Sequence, residues 1–163
     1  MDVAIRAARA ADRAAIAQVN REGQPGVTPL SDEEIDACLA RATLFRVAES
    51  ADGVCGYLLG SAAGFAAIGD EYAWFGARHS AFLYVDQIAV ARAAWGQGVA
   101  AALYAELERE ARARGVAHLV CEVNLRPANP RSLAFHARQG FREVGRLDVS
   151  DGRRVALLER EIG

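Results

Sequence analysis

The segment Trp95-Gly-Gln-Gly-Val-Ala100 sets two glycines just ahead of a run whose Val99, Leu103, Leu107 and Ala111 recur at helical spacing. A glycine loop that opens a helix points free backbone amides at one spot, and the helix dipole favours an anion there. Glycine also lets a phosphate approach the backbone closely. The chemistry implied is the cradling of a phosphate or pyrophosphate, and the plain alternative is a tight turn. A dinucleotide fingerprint fits less well. Ala91 to Trp95 separate the preceding strand from the first glycine, and beyond Glu122, the candidate ribose ligand, only a short helix and a hairpin follow.

Three further side chains have the chemistry of proton transfer. Glu122 lies in Cys-Glu-Val on a predicted strand, where it reads as a general base or as one half of an ion pair at a sheet edge. Asp86 lies on the strand before the glycine loop, on the face that carries Tyr84, Ile88 and Val90. Burying a charge there costs free energy unless it is paired, so Asp86 reads as a structural or substrate-orienting group, or as the base. His136 sits on a short helix that Asn129 can cap, with Pro130 at the first turn. An imidazole can donate a proton near neutral pH, and a lone histidine on a helix can equally be structural.

The elements that must position these groups alternate between types. Val3 to Ala8 reads as a strand, and Asp12 to Arg21 as a helix. Ser31-Asp-Glu-Glu34 is a capping box opening a second helix with Ile35 and Leu39 on one face. Thr43 to Glu49 and Val54 to Leu59 form a hairpin around Ser50-Ala-Asp-Gly53. Residues 61 to 80 show no clean period, although Phe65, Tyr72, Trp74 and Phe75 bunch there as core or as a pocket wall. Then come a strand over Ala81 to Val90, a helix from Gly98 to Arg114, a strand over Val116 to Val123 and a helix from Asn129 to Gln139. Phe141 to Val149 and Arg153 to Glu161 close the chain as a hairpin. Mixed strands and helices with hairpins at both ends predict an α/β (α+β) sandwich on a mixed sheet, in a single domain spanning 1–163.

The ordered pair of motifs resembles the GCN5-related N-acetyltransferase (GNAT) superfamily. Ile88-Ala-Val90, a five-residue connection and Trp95-Gly-Gln-Gly-Val-Ala100 look like its acetyl-CoA pyrophosphate motif. Asn129, His136 and Gly140-Phe141 look like its second motif, and the resemblance covers nearly the whole chain. It implies a splayed sheet flanked by helices on both faces. It also implies that acetyl-CoA is held by Ile88, Ala89 and Val90 along the pantetheine arm, by Trp95, Gly96, Gln97, Gly98, Val99 and Ala100 at the pyrophosphate, and by Asn129 and Ser132. Trp95 stands where the family usually has glutamine or arginine, and His136 where many members have a tyrosine that protonates the departing thiolate.

The activity implied is transfer of an acetyl group from acetyl-CoA to a primary amine of a small molecule or peptide. Glu122 or Asp86 would be the base and His136 or water the acid, with Tyr72, Trp74, Phe75 and Tyr84 near the acceptor. Trp74 can offer a cation both a ring face and an indole N–H. Residues 67 to 80 look like a subgroup-specific insertion. A homodimer is among the assemblies the resemblance implies. The rival of a different class is an acetyl-CoA or CoA-ester sensor of the same fold that transfers nothing.

Composition excludes other classes. All 19 basic residues are arginine, which removes a P-loop lysine and a pyridoxal Schiff base. A net charge of -2 leaves no electrostatic footprint for nucleic acid. No run approaches the ~18 apolar residues of a membrane span, and the N-terminus does not read as a secretory signal. Cys38, Cys55 and Cys121 are scattered without a CxxC, which fits reduced thiols in a cytoplasm and predicts no zinc or other metal site.

Overall fold

The predicted capping box is present in the computed structural model of the chain. Ser31 Oγ accepts from the Glu34 amide and Glu34 Oε1 accepts from the Ser31 amide, each at 3.1 Å, opening a helix over Asp32–Arg41. Residues 1–64 and 69–163 are described, so Phe65 and the start of the proposed insertion lie outside them. The strands are β1 (Ala4–Ala7), β2 (Leu44–Ser50), β3 (Gly53–Ala62), β4 (Leu83–Val90), β5 (His118–Arg126), β6 (Arg142–Asp148) and β7 (Arg154–Glu161). The helices are α1 (Arg13–Gly23), α2 (Asp32–Arg41), α3 (Asp70–Arg78), α4 (Val99–Arg114) and α5 (Pro130–Arg138). The sheet order is β1-β2-β3-β4-β5-β7-β6, mixed as expected. Contacts group the chain into two compact units, Met1–Ser61 with Asp86–Leu107 and Ala62–Val85 with Glu108–Gly163.

In the first unit β1, β2 and β3 form an antiparallel meander, with Gly53 at φ +109° in the tight turn. Ile16, Val19, Ile35, Phe45, Val47, Tyr57, Leu59 and Ala89 make its core. Gly56 lets α4 come close to β3, since a Cβ there would lie 3.1 Å from Val99 Cγ1 and 3.2 Å from the Ala89 carbonyl oxygen.

In the second unit β4 and β5 run parallel, registered Leu83 to Leu119 and Tyr84 to Val120. β5 pairs antiparallel with β7 on its other side, so Glu122 lies on an interior strand and not at a sheet edge. Tyr72, Phe75, Phe82, Tyr84, Val120, Val155 and Leu157 form the core. The stretch without a clean period contains a helix after all. Tyr72 and Phe75 are on its buried face, and aromatic packing holds it where the sequence shows no clean period. Trp74 is half-buried, edge-on to Phe75, and lies over Gly145 of β6.

A Cβ at Gly145 would stand 2.8 Å from Trp74 Cζ2 and 3.2 Å from Cη2. Gly145→Ala is therefore expected to destabilise the protein by about 1–3 kcal/mol in urea unfolding. An unchanged midpoint would mean that the indole is not packed against β6.

Candidate active site

β4 supplies the approach to the glycine loop. Its odd positions Val85, Gln87 and Ala89 are buried, whereas its even positions run from buried Tyr84 to exposed Asp86 and half-buried Ile88 and Val90. The burial cost expected at Asp86 does not arise, because its side chain is exposed. Its charge is felt by Cys38 of α2, whose thiol is raised first by burial and then by Asp86.

Gln87 was not singled out by sequence, yet it centres a buried polar network. Gln87 Oε1 accepts from the Tyr57 hydroxyl at 2.6 Å and from Asn20 Nδ2 at 3.2 Å, and Gln87 Nε2 donates to Thr28 O at 3.0 Å. Asn20 Oδ1 accepts from the Leu30 amide, so the network also anchors the connection between α1 and α2.

Beyond Val90, the Arg92 amide donates to Glu22 Oε1 and a 3-10 turn runs over Arg92–Ala94. Gly96 and Gly98 take φ of +75° and +83°, which L side chains seldom adopt. A Cβ built on either meets no heavy atom within 4 Å, so the glycines answer a backbone requirement and leave open space in front of the loop. The first-turn amides of a helix have no intrahelical acceptor, and those of α4, from Val99 and Ala100 onward, follow directly. The residues present therefore fit a pyrophosphate. Trp95 is 43% exposed, and its indole N–H turns back to the Val90 carbonyl at 2.9 Å. Arg92 lies 6.0 Å from the centre of its ring, and Gln97 Nε2 donates to Ala93 O at 3.4 Å.

The second unit holds the acid–base candidates. The Tyr84 hydroxyl donates to Glu122 Oε2 at 2.7 Å, with Tyr84 3% exposed and Glu122 half-buried. Two positions along the same face of β5, Asn124 accepts from Arg153 Nη1 at 3.2 Å. Arg153 also donates to Glu71 Oε1 at 3.0 Å and to Asp151 Oδ2 at 2.8 Å. Burial opposes its charge, but Asp151, Glu71 and Glu122 together raise its pKa. Sequence reasoning missed Arg153, Glu71 and Asn124. Their only signal was polarity beside an aromatic cluster and a turn, and Glu71 and Arg153 are 82 positions apart.

The Tyr84 hydroxyl holds the Glu122 carboxylate in one orientation. Tyr84→Phe is expected to slow any Glu122-dependent proton transfer about tenfold. An unchanged rate would show that this hydrogen bond does not position Glu122.

α5 begins as predicted, with Asn129 Oδ1 accepting from the Ser132 amide at 3.3 Å. His136 is 3% exposed, flanked edge-on by the rings of Phe135 and Phe141, each 5.3 Å away. Its Nδ1 lies 2.8 Å from the Ser132 carbonyl oxygen, which requires a proton on Nδ1. Burial lowers its pKa, against a smaller opposing effect of that hydrogen bond. The neutral imidazole is thus favoured over the imidazolium that a proton donor to the thiolate would need.

The unfolded state then binds the proton more tightly than the folded state. Stability is full above His136's ordinary value of 6.5 and falls as pH drops below it. His136→Phe is expected to flatten this slope, by up to about 1.4 kcal/mol per pH unit, in chemical denaturation between pH 7 and 5. Equal slopes in both proteins would contradict a depressed His136.

Within these limits each predicted residue has a place. Ile88, Ala89, Val90 and the loop share the first unit with Asp86. Tyr84, Glu122, Asn129, Ser132 and His136 share the second with Tyr72, Trp74 and Phe75. Tyr72, 5% exposed, donates its hydroxyl to Ala62 O at 2.7 Å, and Phe75 is fully buried. Both rings pack on neighbouring aromatics.

The family model described as Acetyltransferase (GNAT) family matches residues 15–141. An acetyltransferase from Agrobacterium fabrum is 36% identical over 80 residues, which is 48% of this chain and 56% of that protein. The chain thus spans about half the length of that curated relative. A GNAT superfamily phosphinothricin acetyltransferase from Sinorhizobium meliloti, solved in complex with AcCoA, superposes with TM-score 0.76 at 26% identity, over 100% of this chain and 90% of that one. A ribosomal-protein-alanine N-acetyltransferase from Brucella melitensis superposes with TM-score 0.74 at 28% identity, over 98% and 99%.

Proposed function

The chain belongs to the acetyltransferase (GNAT) family, and from that premise we propose that it transfers the acetyl group of acetyl-CoA directly to a primary amine of a small molecule or peptide. The two solved relatives support both acceptor types, since one is a phosphinothricin acetyltransferase and the other a ribosomal-protein-alanine N-acetyltransferase. The observation that carries the reading is the half-buried Glu122 carboxylate, held by the hydroxyl of a buried tyrosine.

Acetyl-CoA supplies an activated acyl group as its thioester. The loop from Trp95 to Ala100 offers the amides of an α-helix N-terminus to the pyrophosphate, while Ile88 to Val90 present backbone to the pantetheine arm. Asn129 and Ser132 complete the proposed cofactor contacts. An alkylamine, with a reference pKa near ~10.4, is mostly protonated at neutral pH. Glu122 accepts its proton, directly or through water, and the freed lone pair attacks the thioester carbonyl carbon. The C–N bond forms, the C–S bond breaks, and the CoA thiolate takes a proton. We assign that last proton to water, because the buried His136 favours its neutral form. Asp86, exposed on β4, is assigned to orienting the acceptor amine.

A cytoplasmic location is part of the proposal, supported by Cys38, Cys55 and Cys121 standing as thiols and not in disulfides. Among the described residues, no helix is long and apolar enough to cross a membrane. The test is free-thiol release from acetyl-CoA across a panel of small amines and peptide N-termini. Amine-dependent release lost in Glu122→Gln supports transfer. Binding of acetyl-CoA with no release for any amine supports a sensor instead.

A further inference from the structure

Outside the residues given a role above, His79, His118 and Glu159 each bring one donor atom to within 4.8 Å of the others. All three belong to the second unit: His79 directly follows α3, His118 opens β5, and Glu159 lies on β7. The two imidazoles stack, with ring centres 3.9 Å apart and planes 16° off parallel. Both are half-buried, and Glu159 is 3% exposed.

Glu159 is buried and is met on both carboxylate oxygens by cationic side chains. Oε1 takes Arg78 Nε at 3.1 Å and also meets His79 Nε2. Oε2 takes Arg142 Nη2 at 3.3 Å and Arg78 Nη2 at 3.4 Å.

We propose that His79, His118 and Glu159 form a binding site for a transition-metal dication of the Zn²⁺ class. Two imidazole nitrogens and one carboxylate oxygen suit zinc and its neighbours and do not suit magnesium or calcium, which prefer all-oxygen shells. A tetrahedral ion with bonds of about 2.1 Å spans donors roughly 3.4 Å apart, so on loading His79 Nε2 and Glu159 Oε1, now in hydrogen-bond contact, move apart, while donors near the 4.8 Å limit close by little more than 1 Å. The ion takes Glu159 Oε1 in place of the Arg78 Nε and His79 Nε2 contacts on that atom, while Oε2 keeps its guanidinium contacts. A ligating carboxylate whose second oxygen is hydrogen-bonded is a usual outer-shell arrangement. Water fills the fourth position.

The two guanidinium groups repel a dication and set the affinity below that of a closed zinc site. The Arg142 side chain is 69% exposed and free to turn toward water as the ion enters. His118 is four residues from Glu122, about 13 Å along the strand, so the ion clamps the end of α3 to β5 and β7 and takes no part in proton transfer.

The test uses untagged, chelator-stripped full-length protein titrated with Zn²⁺ by calorimetry, with Co²⁺ as a visible-absorption probe. One equivalent is expected to bind with a rise in the thermal midpoint. His118→Ala is expected to weaken binding at least ~tenfold and abolish the thermal shift. Arg142→Gln removes a competing cation and is expected to tighten binding severalfold. Circular dichroism checks that each variant is folded, and His118→Ala, at a half-buried position, leaves the Arg78–Glu159 pair in place if His79→Ala fails to fold. Absence of saturable binding would overturn the proposal. So would binding unaltered in a folded His118→Ala, which would place the ion on other donors such as the thiols.

Discussion

Glu122→Gln is expected to lower kcat/KM for the acceptor amine by ~10²–10⁴ while leaving acetyl-CoA affinity essentially unchanged. Glutamine keeps the volume and can still accept from the Tyr84 hydroxyl, which now donates to Glu122 at 2.7 Å. What it cannot do is take a proton. The residual rate then depends on the small fraction of amine already neutral in solution, so it climbs with pH toward the amine's own pKa. In the unaltered protein the acidic limb instead follows Glu122. Stopped measurements from pH 6 to 9 distinguish the two shapes. If Glu122→Gln is fully active and Asp86→Asn is dead, the base is on β4.

Gly98→Asp is expected to weaken acetyl-CoA binding at least ~tenfold by placing a like charge at the proposed pyrophosphate site. The fold should survive. Gly98 directly precedes α4, where aspartate is a good N-cap, and aspartate tolerates the positive φ of +83° better than most side chains. Gly98→Asn is the control, because asparagine shares the backbone tolerance and capping ability without the charge. Calorimetry should therefore rank glycine and asparagine close together and aspartate far below. Equal losses for both variants would assign the effect to backbone strain, and no loss for either would remove the loop from the cofactor site.

Local signals were legible in the sequence, and long-range ones were not. The capping box at Ser31, the turn glycine Gly53 and the Asn129 cap each involve residues within four positions, and all are present. The glycine loop was legible for the same reason, since its positive φ angles are a backbone property. α3 was missed because its helix is held by ring contacts with Phe82 and Tyr84 more than by its own pattern. The exposure of Asp86 and the burial of His136 are set by tertiary neighbours that no spacing announces. The Tyr84 hydroxyl bonds Glu122, a partner 38 positions away, because the Tyr84–Val120 register sets Glu122 two residues further along β5. Trp95, read as a departure from the glutamine or arginine usual at its position, caps the Val90 carbonyl with its indole.

One-step transfer of an acetyl group from acetyl-CoA to an amine is tested by mass spectrometry of both products after incubation with acetyl-CoA and each amine of a panel. Acetylated amine and free CoA are expected in equal molar amounts, with no acetylated protein on the path. Acetyl-CoA that binds but keeps its thioester against every amine, or an acetyl group that accumulates on the protein itself, would contradict it.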